Sequence, residues 1–214
     1  MSKIIVAGSQ DIEIMNPDPK LIQIEHVARG LARQFRFSGQ TKYPYSVAAH
    51  SCLVAELLYH EAAEEKGTGG TETRRAQLAI AGLLHDASEA YLGDVVHPLK
   101  QLLLEYKRLE QIWMDAIVTR FSWELGPHVM MNDPRIKEAD QRACSTEFLA
   151  LFNRSAENEW GYPRPLQAHL SPQVRQAVNS LLGNESYSME KDESRFLMQF
   201  KNLCSKIRTA PPSA

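Results

Sequence analysis

The chain has 214 residues, with Lys+Arg 24 against Asp+Glu 26 and a formal net charge of −2. That length suits one domain with a substantial core, and the near-neutral balance excludes a chain drawn by overall charge to nucleic acid or an anionic membrane, so any anionic ligand must meet local positive charge. Cys52, Cys144 and Cys204 are widely spaced, form no CxxC pattern and read as buried thiols; no apolar run reaches the ~20 residues of a membrane span or resembles a signal segment, so a cytoplasmic protein is expected.

Residues 3 to 15, KIIVAGSQDIEIM, place two short β-branched runs around a turn-forming stretch and predict a small hairpin. Asp18-Pro19 is a helix-start signal, and Leu21, Ile24, Val27, Ala28, Leu31 and Phe35 recur at spacings of three and four, predicting one amphipathic helix that ends near RFSG. Ser46 is the expected N-cap of the next helix, whose inward face carries Val47, His50, Val54, Leu57 and Leu58 up to about Lys66. GTGGT, residues 67 to 71, then reads as an interhelical connection.

Residues 72 to 87 predict a helix whose second half, AQLAIAGLLHDA, is apolar on nearly every side and belongs in the middle of a bundle. Leu99 to Phe121 predicts a long amphipathic helix with Leu102, Leu103, Tyr106, Leu109, Ile112, Trp113, Ala116 and Ile117 inward. Asp133-Pro134 opens another, with Ile136, Ala139, Ala143 and Leu149 facing in; Ser171-Pro172 opens a short one ending at Gly183. Glu193 to Ile207 supplies the last helix through Phe196, Leu197, Phe200 and Leu203, and TAPPSA reads as a frayed tail. The expected architecture is an all-α bundle of six or seven helices with a small N-terminal β-hairpin, in one domain: hairpin 1–17, helical core 18–155, C-terminal helical extension 156–208 and tail 209–214.

His50, the adjacent pair His85-Asp86, and Asp140 in IKEADQR fall on three separate helical segments with inward faces. Imidazole nitrogen and carboxylate oxygen suit divalent zinc, manganese, cobalt or iron, and three helices let such ligands converge on one ion from three directions. A single inward histidine is more often a hydrogen-bonded core residue and a lone Asp near a helix start is usually a cap, but the ordered combination with an HD pair ending an apolar helix is specific.

The segments RFSGQTKYPYSVAAHS, LLHDASEAYLGDVVHPLK and KEADQRACSTEF resemble, in order, those of the HD-domain metal-dependent phosphohydrolases, in particular the small HD proteins that include bacterial 5′-deoxynucleotidases and phage-type dATP triphosphohydrolases. The likeness covers roughly residues 26 to 152. It implies an HD-type helical bundle, His50, His85, Asp86 and Asp140 as ligands of one catalytic divalent ion, and a second ion such as magnesium arriving with substrate phosphates. It also implies that Asp94 activates water or protonates the leaving oxygen. One departure stands out: relatives often carry Glu or Gln just before the first ligand histidine, boxed with the Ser three residues earlier, whereas this chain has Ala49, so a looser helix start is expected.

Glu89 comes four residues after His85 and shares its face if the helix continues through DASEA, making it a candidate base or supporting carboxylate. Arg36, Lys100 and Lys137, the last one turn before Asp140, are the candidate phosphate partners. Phe37 could stack on a base and Pro98 could wall the pocket, as the matching region does in the resembling proteins. The expected reaction is hydrolysis of the 5′ phosphate ester of a deoxynucleotide, releasing phosphate from a monophosphate or triphosphate from a triphosphate; the four ligands alone serve either. A small-molecule nucleotide is the expected partner, with no nucleic-acid polymer or membrane, and a homo-oligomer is expected. The competing readings are a two-metal HD phosphodiesterase or oxygenase recruiting His97 or His128, and a non-catalytic nucleotide-binding module.

Overall fold

In the computed structural model, residues 2–6, 10–64, 71–127, 129–154, 161–162 and 187–209 are described, the side chains of 62–64 and 208–209 apart. The expected hairpin forms from β1 (Lys3–Val6) and β2 (Gln10–Glu13), antiparallel with Ile4 opposite Ile12. Ile12 is fully buried, and the Trp113 indole Nε1–H donates to the Ile14 carbonyl at 3.0 Å, which pins the hairpin to the bundle.

The helix expected after Asp18-Pro19 is divided. Asp18 does cap, its Oδ1 accepting the Lys20 N–H at 2.9 Å, but it starts only a 3-10 turn, Pro19–Leu21. Ile22 turns extended (ψ 122°) and its carbonyl accepts the Arg120 Nε–H at 3.0 Å, so a tertiary partner takes the acceptor that a continuous helix would have used. Helix α1 (Ile24–Ala32) comes after it, burying Val27, Ala28, Leu31 and Ala32. Phe35, expected inward on that helix, is instead extended and forms an antiparallel bridge with Ser46, before a second 3-10 turn at Arg36–Gly39.

Ser46 then caps α2 (Val47–Glu64) through its Oγ, which accepts the Ala49 N–H at 3.0 Å. Thr71 caps α3 (Glu72–Leu84) on Arg74 N–H, and every residue from Ala76 to Leu84 is buried, as the apolar text required of a central helix. Regular helix stops at Leu84 rather than residue 87: Ala87 N–H reaches back to Leu84 O and Glu89 N–H to Asp86 O, both at 3.0 Å, tighter i to i−3 bonds that rotate the chain leading into α4 (Glu89–Leu92). Helix α5 (His97–Lys100) comes next.

The long helix predicted from Leu99 begins later, as α6 (Leu104–Arg120), because Leu103 (φ −105°, ψ 80°) breaks the chain between α5 and α6. Leu102 and Leu103, expected inward, are therefore exposed, Leu102 at 78%, while Trp113, Ala116 and Ile117 keep their inward places. After α7 (Ser122–Leu125), Asp133 caps α8 (Pro134–Phe152) on Arg135 N–H at 3.0 Å. Ile136, Ala139 and Ala143 face the core, but Leu149 is exposed. The final helix, α9 (Met189–Thr209), starts four residues earlier than its apolar period suggested and packs on α1, α2 and α3 through Phe196, Phe200 and Leu203. The three cysteines are free and buried, and among the described residues no helix is long and apolar enough to cross a membrane. The predicted connection at 67–70, the short helix 171–183 and the tail from 210 lie outside the described residues.

Gly30 sets how closely α4 can approach α1. A Cβ there would meet the Ala90 carbonyl oxygen at 2.6 Å and its Cα at 2.8 Å, so backbone rather than a flexible side chain would have to move. Gln34 holds the same segment at both ends: its Nε2 donates to the Glu89 carbonyl at 2.6 Å and its Oε1 accepts the Asp94 N–H at 2.5 Å. Gly30→Ala is expected to destabilise the protein by about 1–3 kcal/mol in urea unfolding and to displace α4.

Candidate metal centre

Four predicted ligands meet where α2, the α3–α4 turn and α8 converge. His50 lies one turn into α2, directly beneath the Ser46 cap, and is fully buried. The looser helix start expected from Ala49 is not what the structure has: Ser46 Oγ also donates to Asp192 Oδ2 at 2.6 Å, so α9 fastens the beginning of α2. His85 and Asp86 come from the tightened turn after α3, and Asp140 from the second turn of α8.

His50 Nε2 stands 3.3 Å from His85 Nε2. Asp140 Oδ1 is 3.1 Å from His50 Nε2 and 3.8 Å from His85 Nε2; Asp86 Oδ2 is 3.1 Å from His85 Nε2 and 3.8 Å from His50 Nε2. Ligand atoms of His50, His85 and Asp140 all lie within 4.8 Å of one another. Two ligands at ~2.1 Å from a shared tetrahedral ion are themselves roughly 3.4 Å apart, close to the spacings found here.

The other face of each imidazole strengthens this fit. His50 Nδ1 is 2.6 Å from Glu147 Oε1 and His85 Nδ1 is 2.8 Å from the Gly82 carbonyl. Both partners accept, so both Nδ1 atoms donate, and two bare Nε2 lone pairs converge with two carboxylates. Such a set of acceptors needs a cation.

Without one, protons take that place. Burial and the Arg36 guanidinium act to lower the His50 pKa, yet Glu147 and Asp140 outweigh them and the net direction is up. Burial likewise opposes the charge on His85, but Asp86 and Asp140 raise it well above the ordinary value. Burial would raise Asp86 and Asp140; the facing histidines hold both below the usual carboxylate range.

A cavity of about 640 Å³ opens beside this cluster, with Asp86 and Asp140 on its wall. Glu89, Asp94, Arg36, Phe37, Pro98 and Lys100 line it too. Lys137 is not among them; it is exposed on the outside of α8. Phe37 meets Phe152 edge-on at 5.2 Å and Phe148 at 6.1 Å, forming an aromatic wall. His97 sits on the rim with its Nε2 2.7 Å from Gln101 Nε2, and His128 lies outside the described residues.

No protein-family model matches the chain. An uncharacterized protein of Rhodobacter capsulatus is 39% identical over 164 residues, spanning 72% of this chain and 77% of that protein. The chain belongs to the family of that Rhodobacter protein. The uncharacterized protein YfdR of Escherichia coli is 36% identical over 126 residues, 59% of each chain. A more distant relative, 24% identical over 166 residues (69% of this chain, 84% of the relative), is named 5′-deoxynucleotidase in Photobacterium profundum.

Glu89 is buried, with Oε1 3.1 Å from Lys100 Nζ and Oε2 without a hydrogen-bond partner. Burial, then the neighbouring Asp86 and Asp94 charges, push its pKa well up against the pull of Lys100. Burial also raises Asp94. Lys100 is divided between Glu89 and Glu110, the latter at 2.7 Å. Arg36 gives its Nε to Glu147 Oε2 at 3.1 Å and brings Nη1 to 3.8 Å from Asp86 Oδ2.

Sequence reading missed Glu147, Tyr45 and Gln34. Glu147 stands seven residues after Asp140, hence on the same face of α8, and that spacing was a usable signal. Gln34 carried none, because its importance arises only once α4 is folded against α1.

Proposed function

We propose that the chain is a metal-dependent phosphohydrolase that cleaves the 5′ phosphate ester of a deoxynucleotide, and that its substrate is the monophosphate. The observation that carries this reading is the convergence of His50, His85, Asp86 and Asp140 beside a cavity whose wall carries Asp86 and Asp140 and also presents Arg36, Glu89 and Asp94. The 5′-deoxynucleotidase name of a distant relative supports it. His50, His85, Asp86 and Asp140 would hold a zinc-, manganese- or cobalt-like ion, which lowers the pKa of water and polarises a phosphoryl oxygen.

Arg36 then meets the phosphate with the guanidinium edge that Glu147 leaves free, and Phe37 with Phe148 forms a face for the base. Glu89 and Asp94, whose raised pKa values favour retention of a proton, serve proton transfer to the leaving 5′ oxygen. Charge balance favours the monophosphate. Among the described residues the cations on the cavity wall are Arg36 and Lys100, both already paired with carboxylates. A bound ion and Arg36 match one phosphate; among the described residues of the wall, β- and γ-phosphates would meet no further unpaired positive side chain.

The test is to incubate the metal-loaded protein with each deoxynucleoside mono- and triphosphate and resolve the products. Nucleoside and orthophosphate from the monophosphates are expected. Release of triphosphate at equal or higher kcat/KM overturns the substrate assignment, and no cleavage with manganese, cobalt, zinc or magnesium overturns the enzymatic one.

A further inference from the structure

We propose that Glu147 is a positioning residue that aims two parts of the site at once: the imidazole of His50 at the metal and the guanidinium of Arg36 at the phosphate. The proposal rests on the phosphohydrolase reading for the role of Arg36, while its metal arm stands on the ligand geometry.

Glu147 is fully buried on α8, on the face that carries Asp140. Its carboxylate accepts from three segments. Oε1 takes His50 Nδ1 at 2.6 Å and the Tyr45 hydroxyl at 3.0 Å; Oε2 takes Arg36 Nε at 3.1 Å. The bond to His50 fixes the hydrogen on Nδ1 and turns Nε2 toward Asp140 and His85. The bond to Arg36 occupies Nε and leaves the Nη side toward Asp86 and the cavity.

The Arg36 N–H donates to the Tyr45 carbonyl at 3.0 Å, which places the backbone but leaves the guanidinium to be aimed by its own side-chain contacts. The three residues after it, Phe37, Ser38 and Gly39, all have left-handed φ values of 57°, 53° and 69°. Two of these are not glycine, a conformation that persists only where surrounding contacts hold it. Within this turn, Gln40 N–H to Phe37 O is the closing backbone bond, the Phe37 ring packs on Phe148 and Phe152, and the polar side-chain tie to the protein interior is Arg36 to Glu147.

Glu147→Gln keeps the size but puts an amide NH2 where one of three donors pointed. The Mn²⁺ dissociation constant, measured on the stripped protein by competition with a fluorescent chelator, is expected to rise roughly 10- to 100-fold. Affinity for inorganic phosphate at saturating Mn²⁺, measured by calorimetry, is expected to fall at least about 5-fold, and Arg36→Lys is expected to weaken phosphate binding less in the Glu147→Gln background than in the wild type. Tyr45→Phe, which removes only the neutral donor, should leave both constants within about 2-fold.

A folded Glu147→Gln protein with unchanged Mn²⁺ and phosphate constants overturns the proposal, as does loss of metal affinity with phosphate binding and its Arg36 dependence intact. If Glu147→Gln does not fold, the 15N shifts of His50 in the zinc-loaded wild type decide: an imidazole with its hydrogen on Nδ1 and the metal on Nε2 is expected, and metal on Nδ1 contradicts the assignment. None of these readouts requires turnover. A protein that cleaves no deoxynucleotide yet shows both losses refutes the proposed reaction and keeps the positioning role; unchanged constants in an active nucleotidase do the reverse.

Discussion

Asp86→Ala is expected to abolish tight metal binding and to lower kcat/KM by at least about 10³-fold, since a bound ion supplies several kcal/mol of transition-state stabilisation. Asp86 Oδ2 is the atom closest to His85 Nε2 across the centre and the second carboxylate facing the two imidazoles. Without it the donor set falls to two neutral imidazoles and Asp140, and Arg36 Nη1, 3.8 Å away, loses the carboxylate that faces it beside the ion, keeping only Glu147. Asp86→Asn preserves the shape but not the charge and should lose the metal as well.

The metal-free protein carries the same pair in its pH dependence. Asp86, held below its ordinary range, contributes stability that is present above about pH 4 and is lost as pH falls through its depressed pKa. His85, raised, contributes stability that is fully present below about pH 6.5 and is lost as pH rises through its elevated pKa. The melting temperature of the stripped wild type should therefore decline on the alkaline side of about pH 6.5. Asp86→Ala should flatten that decline, and an unchanged alkaline limb would show that His85 owes its charge to another partner.

Glu89→Gln is expected to keep the metal within a few-fold of wild-type affinity and to lose about 10²–10⁴ in kcat, the range of one general acid or base. Glu89 is buried in the cavity wall with one oxygen unpartnered, and its raised pKa keeps the carboxyl protonated to higher pH than an ordinary glutamate. A proton donor of this kind makes kcat fall as pH rises through the elevated pKa. Gln cannot donate an acidic proton, so that limb should vanish in the variant. Lys100 opposes the shift, and Lys100→Met should move the alkaline limb of the otherwise intact site to higher pH. Loss of metal from Glu89→Gln would make Glu89 a ligand and refute the assignment.

Much of this architecture is written in local start signals. Ser46, Thr71 and Asp133 cap α2, α3 and α8, and the uninterrupted apolar run before His85 marks the buried helix that delivers the HD pair. The illegible parts depend on distant partners. The break at Ile22 is fixed by an arginine nearly a hundred residues away, and the break at Leu103 accompanies a lysine in α5 shared by Glu89 and Glu110.

The site divides in the same way. His50, His85, Asp86 and Asp140 were recoverable because helical period and ligand chemistry coincide at each. Glu89 reaches the cavity by a different route from the one its i+4 spacing suggested, through a turn of i to i−3 bonds instead of a continued helix. Lys137 shows the limit of face arguments: it is one turn from Asp140, yet it is exposed and outside the cavity wall. Glu147, two turns beyond Asp140, is buried and joins three segments of chain.

The most direct measurement is anomalous diffraction from a crystal of the manganese-loaded protein, with the metal content of the same preparation counted. One ion per chain is predicted at the His50–His85–Asp86–Asp140 cluster, with both histidines bound through Nε2. No ion there, or an ion bound elsewhere while this cluster remains closed on its own protons, would contradict the account.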